Sequence, residues 1–318
     1  MDALSGLLDG VRARGAFVLR LSLDPPWSMR IQDGALTLIC QTAGTSVIVT
    51  DRGDEFRLAA GDIALASGAC HYLFACSPDV APQLVIHPGQ RCTTLAGEDM
   101  RFALSVGVRT WGNSDAGTDR VVIGAYEGRS EVSTRLLQAL PPVLVVHPHE
   151  PQGLIELLAA EAGRERVGQE VFLDRLLDLM LIDTLRTWFD GEGQAPPWWR
   201  AADDAIVGPA LRLIHHNPRH PWTVANLANA VGTSRAVLAR RFTDLVGEPP
   251  IAFLTGWRLA VAADLLRSGD RTIAAVADHV GYGTPFALST AFKRTYGMSP
   301  AAYRAAHAAD QAAGAAPA

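Results

Sequence analysis

Four basic side chains, Arg235, Arg240, Lys293 and Arg294, sit in two segments about fifty residues apart. In the first segment Ser234, Arg235, Ala236, Ala239, Arg240 and Thr243 fall away from an apolar side made by Leu238, Phe242 and Leu245 at helical spacing. In the second, Thr284, Phe286, Ser289, Thr290 and Lys293 take the matching places opposite Leu288 and Phe292, and Arg294 follows Lys293. An arginine on such a helix can donate two hydrogen bonds to guanine O6 and N7, and Phe or Thr can touch a thymine methyl. The chemistry on offer is recognition of base edges and phosphates in double-stranded DNA rather than bond making.

A second group of reactive side chains lies near the other end of the chain. The four cysteines are Cys40, Cys70, Cys76 and Cys92, with no CxxC pair, and His71 follows Cys70. Free cysteine most often serves as a small buried apolar residue. The alternative is a thiol sensor built on Cys70, Cys76 or Cys92, with Arg91 placed to lower the pKa of Cys92. His71 reads either as a hydrogen-bonded structural residue or as part of an effector site. The "VVHPHEP" stretch offers His147, His149 and Glu150, but HxH in a Pro-rich connection reads first as solvated. No nucleophile–base pair and no phosphate loop stand out, so neither enzymatic activity, a cofactor nor a metal is expected.

The elements that must hold the basic side chains repeat. "TVANLANAVG" (Thr223–Gly232) returns as "TIAAVADHVG" (Thr272–Gly281), with five of ten positions identical. Phe242, Gly247, Pro250 and Phe253 are matched by Phe292, Gly297, Pro300 and Tyr303. Each copy predicts a short helix capped by Thr, a buried Ala, a Gly able to take positive φ, and a second helix presented to DNA. The intervening "PIAFLTGWRLAVAADLLRSGD" reads as one joining helix. Many helical domains carry an Ala, a Gly and an exposed Arg at these spacings; the duplication carries the reading. Pro285, just after the N-cap Thr284, occupies the first helical position, where a missing N–H does no harm.

Charge agrees with this division. Residues 205–307 hold 11 Lys and Arg against 5 Asp and Glu, a net +6, while the rest of the chain carries −11. Upstream, "GALTLIC", "TSVIVTD" and "LAAGDIALASGACHYLFA" read as short strands of an all-β barrel or sandwich over about 17–125. Helical periodicity follows over about 150–190, and the helix containing Phe172, Leu179 and Ile182 is apolar nearly all round. It packs either on its own barrel alone or also against a second copy of the chain. "DGEGQAPPWWRAADD" predicts a linker at 191–204, and 308–318 predicts a disordered tail. With no long apolar run and no basic-then-apolar leader, the expected location is the cytoplasm, away from membranes.

The segments "WTVANLANAVGTSRAVLARRFTDLVGEPP", "RLAVAADLLRSGDRTIAAVADHVGYG" and "AFKRTYGMSPAAYR" resemble the DNA-binding domain of the AraC/XylS family. "PPWSMR", "GDIALASGACHYL" and "GQEVFLDRLLDLMLIDTLRTWF" resemble the cupin-type sensor domain of one branch of it. The resemblance implies an α+β chain. An N-terminal cupin-like β-barrel plus helices (1–190) would serve sensing or dimerisation, and an all-α domain with two helix-turn-helix motifs (205–307) would bind DNA. It implies promoter DNA as partner, RNA polymerase as the expected protein partner, and an unknown small-molecule or redox effector; regulators of similar layout respond to reactive chlorine through cysteines. Two departures matter: Thr290 stands where the family commonly has a basic residue, and Ser67-Gly68 where Pro-x-Gly is common. The second weighs against a metal role for His71. The competing readings are a cupin-type metal-dependent enzyme with a helical appendage, and a barrel that only dimerises.

Overall fold

The β-branched, alternating first part of the chain forms strands, and the later 3.6-residue periodicity forms helices. A computed structural model describes residues 17–33, 36–67, 71–100, 102–126, 140–147, 153–191, 197–267, 269 and 271–314. These residues fall into two compact units, one ending at Gly191 and the other beginning at Pro197.

The first unit has thirteen strands among its described residues: β1 (Phe17–Leu23), β2 (Ser28–Ile31), β3 (Leu36–Ala43), β4 (Thr45–Thr50), β5 (Glu55–Ala59), β6 (Ile63–Ala66), β7 (Tyr72–Ala75), β8 (Leu84–His87), β9 (Arg91–Thr94), β10 (Ser105–Gly107), β11 (Thr110–Gly112), β12 (Asp119–Tyr126) and β13 (Val143–Val146). They make a seven-stranded sheet ordered β10-β11-β1-β12-β3-β6-β13 and a six-stranded sheet ordered β5-β4-β7-β2-β8-β9. Leu21, Leu23, Trp27, Met29, Ile48, Phe74 and Val121 share one apolar core. Helices α1 (Gly153–Ala162) and α2 (Gln169–Asp190) follow. α2 buries Leu173, Leu176, Leu177, Met180, Leu181 and Leu185. It packs against β12 closely enough that a Cβ on Gly124 would lie 2.4 Å from a Leu177 methyl. Val171, Phe172 and Leu179 remain exposed.

The strands extend beyond the expected barrel. β13, the apolar run "VLVV", lies past the expected 17–125 span and pairs antiparallel with β6 from Val143↔Ala66 to Val146↔Ile63. A four-residue apolar run carries no period of its own, so only its partner strand defines it.

The second unit contains α3 (Pro197–Ala202), α4 (Val207–His216), α5 (Val224–Ala230), α6 (Arg235–Val246), α7 (Pro250–Arg267), α8 (Ile273–His279), α9 (Pro285–Tyr296) and α10 (Pro300–Gly314). Two sequence expectations are corrected. Residues 197–202, assigned to the linker 191–204, form α3, whose Ala201 is wholly buried in the core with Val207, Leu238 and Phe242. The expected tail at 308–318 is helical through Gly314, because the alanine-rich composition that reads as low-complexity also favours helix.

In the first unit a buried polar contact ties strands together. The Trp27 indole Nε1 donates to Asp119 Oδ2 at 2.8 Å, and Thr45 N donates to the other carboxylate oxygen at 3.1 Å. Removing the acceptor leaves a buried donor unsatisfied. Asp119→Ala is expected to destabilise this unit by about 2–3 kcal/mol in urea melts. Asp119→Asn, which keeps one acceptor, should lose less; equal losses would contradict this role.

Candidate nucleic-acid interface

Each helix-turn-helix is built from the same local devices. In the first, Thr223 caps α5 through a reciprocal box: its Oγ1 accepts from Asn226 N at 3.2 Å and the Asn226 carboxamide accepts from Thr223 N at 2.7 Å. In the second, Thr272 Oγ1 accepts from Ala275 N at 3.1 Å. Gly232 and Gly281 take φ of 71° and 82° in the two turns, conformations that disfavour a side chain. Thr233 N donates to Ala228 O at 3.0 Å and Tyr282 N to Ala277 O at 2.8 Å. Ala228 and Ala277 are buried under the second helices, α6 and α9.

α6 and α9 are anchored by matching contacts. Leu238 and Phe242, and Leu288 and Phe292, are fully buried. Phe242 meets Phe253 edge-on with ring centroids 5.7 Å apart, and Phe292 meets Tyr303 at 5.3 Å. Ser234 Oγ caps α6 by accepting from Val237 N, and Thr284 Oγ1 caps α9 by accepting from Ala287 N. Pro285 is the first residue of α9. Gly247 and Gly297 close the two helices in left-handed conformation.

The outward faces follow from that anchoring. Ser234, Arg235, Ala236, Arg240 and Thr243 are exposed on α6, with Ala239 half-buried. Around α9, Thr284, Phe286, Thr290, Lys293 and Arg294 are exposed and Ser289 is half-buried. Phe286 is 81% exposed. Thr290 Oγ1 donates to Phe286 O at 3.0 Å, as Thr243 Oγ1 does to Ala239 O at 2.8 Å. The Thr290 hydroxyl proton is therefore spent inside the helix, which leaves its oxygen as an acceptor.

Arg241, next to Arg240, does something else. Its Nε and Nη2 donate to Asp204 Oδ2 at 2.8 and 2.5 Å, while Asp204 Oδ1 accepts from Ile206 N and Val207 N at 2.9 Å each. Asp204 thus ties the start of α4 to α6, and the Arg241 hydrogen bonds hold its carboxyl down to about 2. Sequence spacing does not single out this pair, since one helical step separates the solvent-facing Arg240 from the braced Arg241.

The cysteine and histidine candidates scatter. Cys40, Cys76 and Cys92 are free thiols, and Cys70 lies outside the described residues. Cys92 is buried, and burial with the nearby Asp99 carboxylate pushes its thiol up to about 11. That corrects the expectation that Arg91 lowers it: Arg91 is exposed while the sulfur points into the core. Burial pushes the Cys40 thiol further up still. Cys76 is half-buried, and its sulfur accepts from Trp27 N at 3.4 Å. His71 is exposed with Nδ1 3.9 Å from Asp51. His147 Nδ1 lies 2.7 Å from Asp62 Oδ1, and His149 and Glu150 lie outside the described residues. Among the described residues no group of three His, Cys, Asp or Glu is placed to hold a metal ion, and no helix is long and apolar enough to cross a membrane.

The Asp204 brace has a testable sign. Its carboxyl pKa is depressed in the fold, so its stabilisation is complete above the unfolded value near ~4 and is lost as pH falls towards about 2. Asp204→Asn should lower the melting temperature of the second unit by a few degrees at pH 7. The gap to the parent protein should narrow only below about pH 4; a gap unchanged down to pH 2 would refute the assignment.

A cupin family model matches residues 2–190 and a helix-turn-helix domain model matches residues 227–306. The chain is 31% identical over 319 residues to a putative AraC-like transcription regulator of Streptomyces antibioticus, covering 96% of this chain and 98% of that protein. It is 28% identical to the HTH-type transcriptional regulator AlkR of Acinetobacter baylyi, covering 96% and 99% of the two chains. A crystal structure of the AdpA DNA-binding domain in complex with a target DNA shares 34% identity, covering 34% of this chain and 96% of that one, with a TM-score of 0.32. With its duplicated, basic helix-turn-helix unit following a cupin unit, this chain belongs to the AraC-like transcription regulators, DNA-binding proteins with an N-terminal cupin domain.

Proposed function

We propose that the protein controls transcription by reading promoter DNA unequally with α6 and α9, under the control of a small, largely apolar effector held in the cupin unit. The observation that carries the DNA half is the pair of exposed faces on two helices anchored by matching buried leucine and phenylalanine side chains. Arg240 supplies the strongest base contact, since its guanidinium is exposed and can address guanine bidentately. α9 lacks an arginine at the matching Thr290 and spends that hydroxyl proton internally. It grips the duplex through Lys293 and Arg294 and offers Phe286 to a thymine methyl. Arg235 and Ser234 lie at the N-terminus of α6, where a phosphate is favoured.

The effector half rests on a cavity of about 310 Å³ in the first unit, lined by Leu21, Met29, Tyr72, Cys92, Trp111 and Ile123 among others. Gln90 and Arg109, the two non-glycine residues with positive φ among those described, both line it. Non-glycine residues rarely adopt that conformation, and such positions gather at ligand sites. Gln90 Nε2 donates to Asp33 Oδ2 at 2.8 Å, and Arg109 donates to Arg164 O at 3.1 Å with further N–H groups to spare. An apolar body with one acceptor group suits these walls. The buried, hard-to-ionise Cys92 favours this reading over a thiol sensor at that position. RNA polymerase is one protein partner in this reading; a second copy of the chain, covering Val171, Phe172 and Leu179, is another.

Binding to a selected operator at fixed salt tests the DNA half. Arg240→Ala is expected to cost ~1–3 kcal/mol and to relax base preference, and Thr290→Ala less. Equal losses would refute unequal reading. For the cavity, short aliphatic and aromatic compounds, with and without a carboxylate, should include some that raise the melting temperature by several degrees. Ile123→Trp, which fills the space, should abolish that rise; a rise kept in this variant would place the effector elsewhere.

A further inference from the structure

The two reading helices stand on separate apolar cores. Leu227, Ala228, Leu238 and Phe242 pack with Leu254, Trp257 and Ala260 of α7. Val276, Ala277, Leu288 and Phe292 pack with Leu259, Ala262, Ala263 and Leu266 of the same helix. Among the described residues, Val261 is the apolar side chain that borders both cores. α7 is a shared rod, so apolar packing fixes each unit to α7 rather than directly to the other unit.

Polar contacts supply what the cores do not. Arg258, near the middle of α7, donates from Nε to Pro218 O at 2.7 Å and from Nη2 to His220 O at 2.8 Å. Both carbonyls belong to the loop that leads into α5, so one guanidinium fixes that loop of the first helix-turn-helix to the rod. The turn of the second helix-turn-helix closes on the same place. A Cβ on Gly281 would lie 2.7 Å from Arg219 O and 2.8 Å from Arg258 Nη2. Gly232, its counterpart in the first copy, has nothing within 4 Å of the same position. The two glycines share a positive φ, but only Gly281 is also needed for a close approach between the copies. Arg219 Nη2 donates to Asp278 Oδ1 at 2.8 Å across the same boundary.

We propose that Arg258 is a positioning residue: with the Arg219 backbone and Gly281 it clamps the two helix-turn-helix units in one relative rotation, so that the protein accepts operators of one fixed spacing. The inference rests on the reading that both α6 and α9 touch DNA. Inserting one base pair turns the second contacted segment by about 35° around the duplex. A rigid reader meets that shift as lost contacts, whereas a hinged one follows it. The clamp therefore sets spacing specificity without touching a base.

The test uses the full-length protein and the tightest genomic fragment it selects, with the two contacted segments mapped by footprinting. Affinity is measured at fixed salt on the parent fragment, on fragments with one or two base pairs inserted or removed between the segments, and on a fragment carrying the first segment alone. The unsubstituted protein is expected to lose about tenfold or more for one inserted base pair. Arg258→Met keeps the aliphatic stem but donates to neither carbonyl, and should lose less than about threefold, with unchanged affinity for the first segment alone. Arg258→Lys keeps the charge but cannot span both carbonyls. It should match the Met variant, and it carries the test if that variant fails to fold. Both variants keeping the full spacing penalty would overturn the clamp, as would a Lys variant that behaves as the unsubstituted protein. If scrambling the second segment leaves the unsubstituted protein's affinity intact, α9 does not read DNA; the clamp then falls together with the two-helix reading, an outcome distinct from the first two.

Discussion

The close crossing of a short helix over a longer one, at Ala228 in one copy and Ala277 in the other, is the constraint on which the DNA-reading unit depends. Both alanines are buried to the last percent, each beside a leucine and a phenylalanine of the outer helix. A larger residue there would lift α6 or α9 off its core and turn its outer face. From that one contact follow the glycine turn that reverses the chain, the threonine that starts the short helix, and the phenylalanine that anchors the long one. The outward residues need no such constraint, which explains why the two copies keep their buried positions and differ where they would meet DNA. Arg240 is replaced by Thr290, and Ala236 by Phe286.

The same logic separates two kinds of arginine. Arg240 and Arg235 project from α6 into solvent, while Arg241 is turned by one helical step onto Asp204 and Arg258 is half-buried against two carbonyls. Their charge count is identical, but the first pair is free to exchange counterions for phosphates and the second is spent on internal geometry. Net charge of +6 over residues 205–307 therefore overstates what this domain can offer a duplex.

In the cupin unit the cavity walls are mainly apolar, the Cys92 on them is buried, and Gln90 and Arg109, both at positive φ, add polar groups to the lining. An effector alters DNA affinity only if it binds one arrangement of the chain better than another. The cavity walls include β10 and β11, a short hairpin at the edge of the seven-stranded sheet.

Much of the second unit was legible in the sequence because its information is local and written twice. The caps at Thr223 and Thr272, the turns at Gly232 and Gly281, the buried Leu238 and Phe242, and Pro285 at the first position of α9 are set by residues within a few places of one another. What the tertiary structure decided are the contacts between distant positions. Asp204 finds Arg241 across 37 residues, Arg258 finds Pro218 across 40, and β13 finds β6 across some eighty. No periodicity encodes those meetings, and neither does it say that Cys92 is buried or that α3 belongs to a core rather than to a linker. Helical and turn propensities act through neighbours in the chain, whereas burial depends on which remote surfaces come to cover a residue.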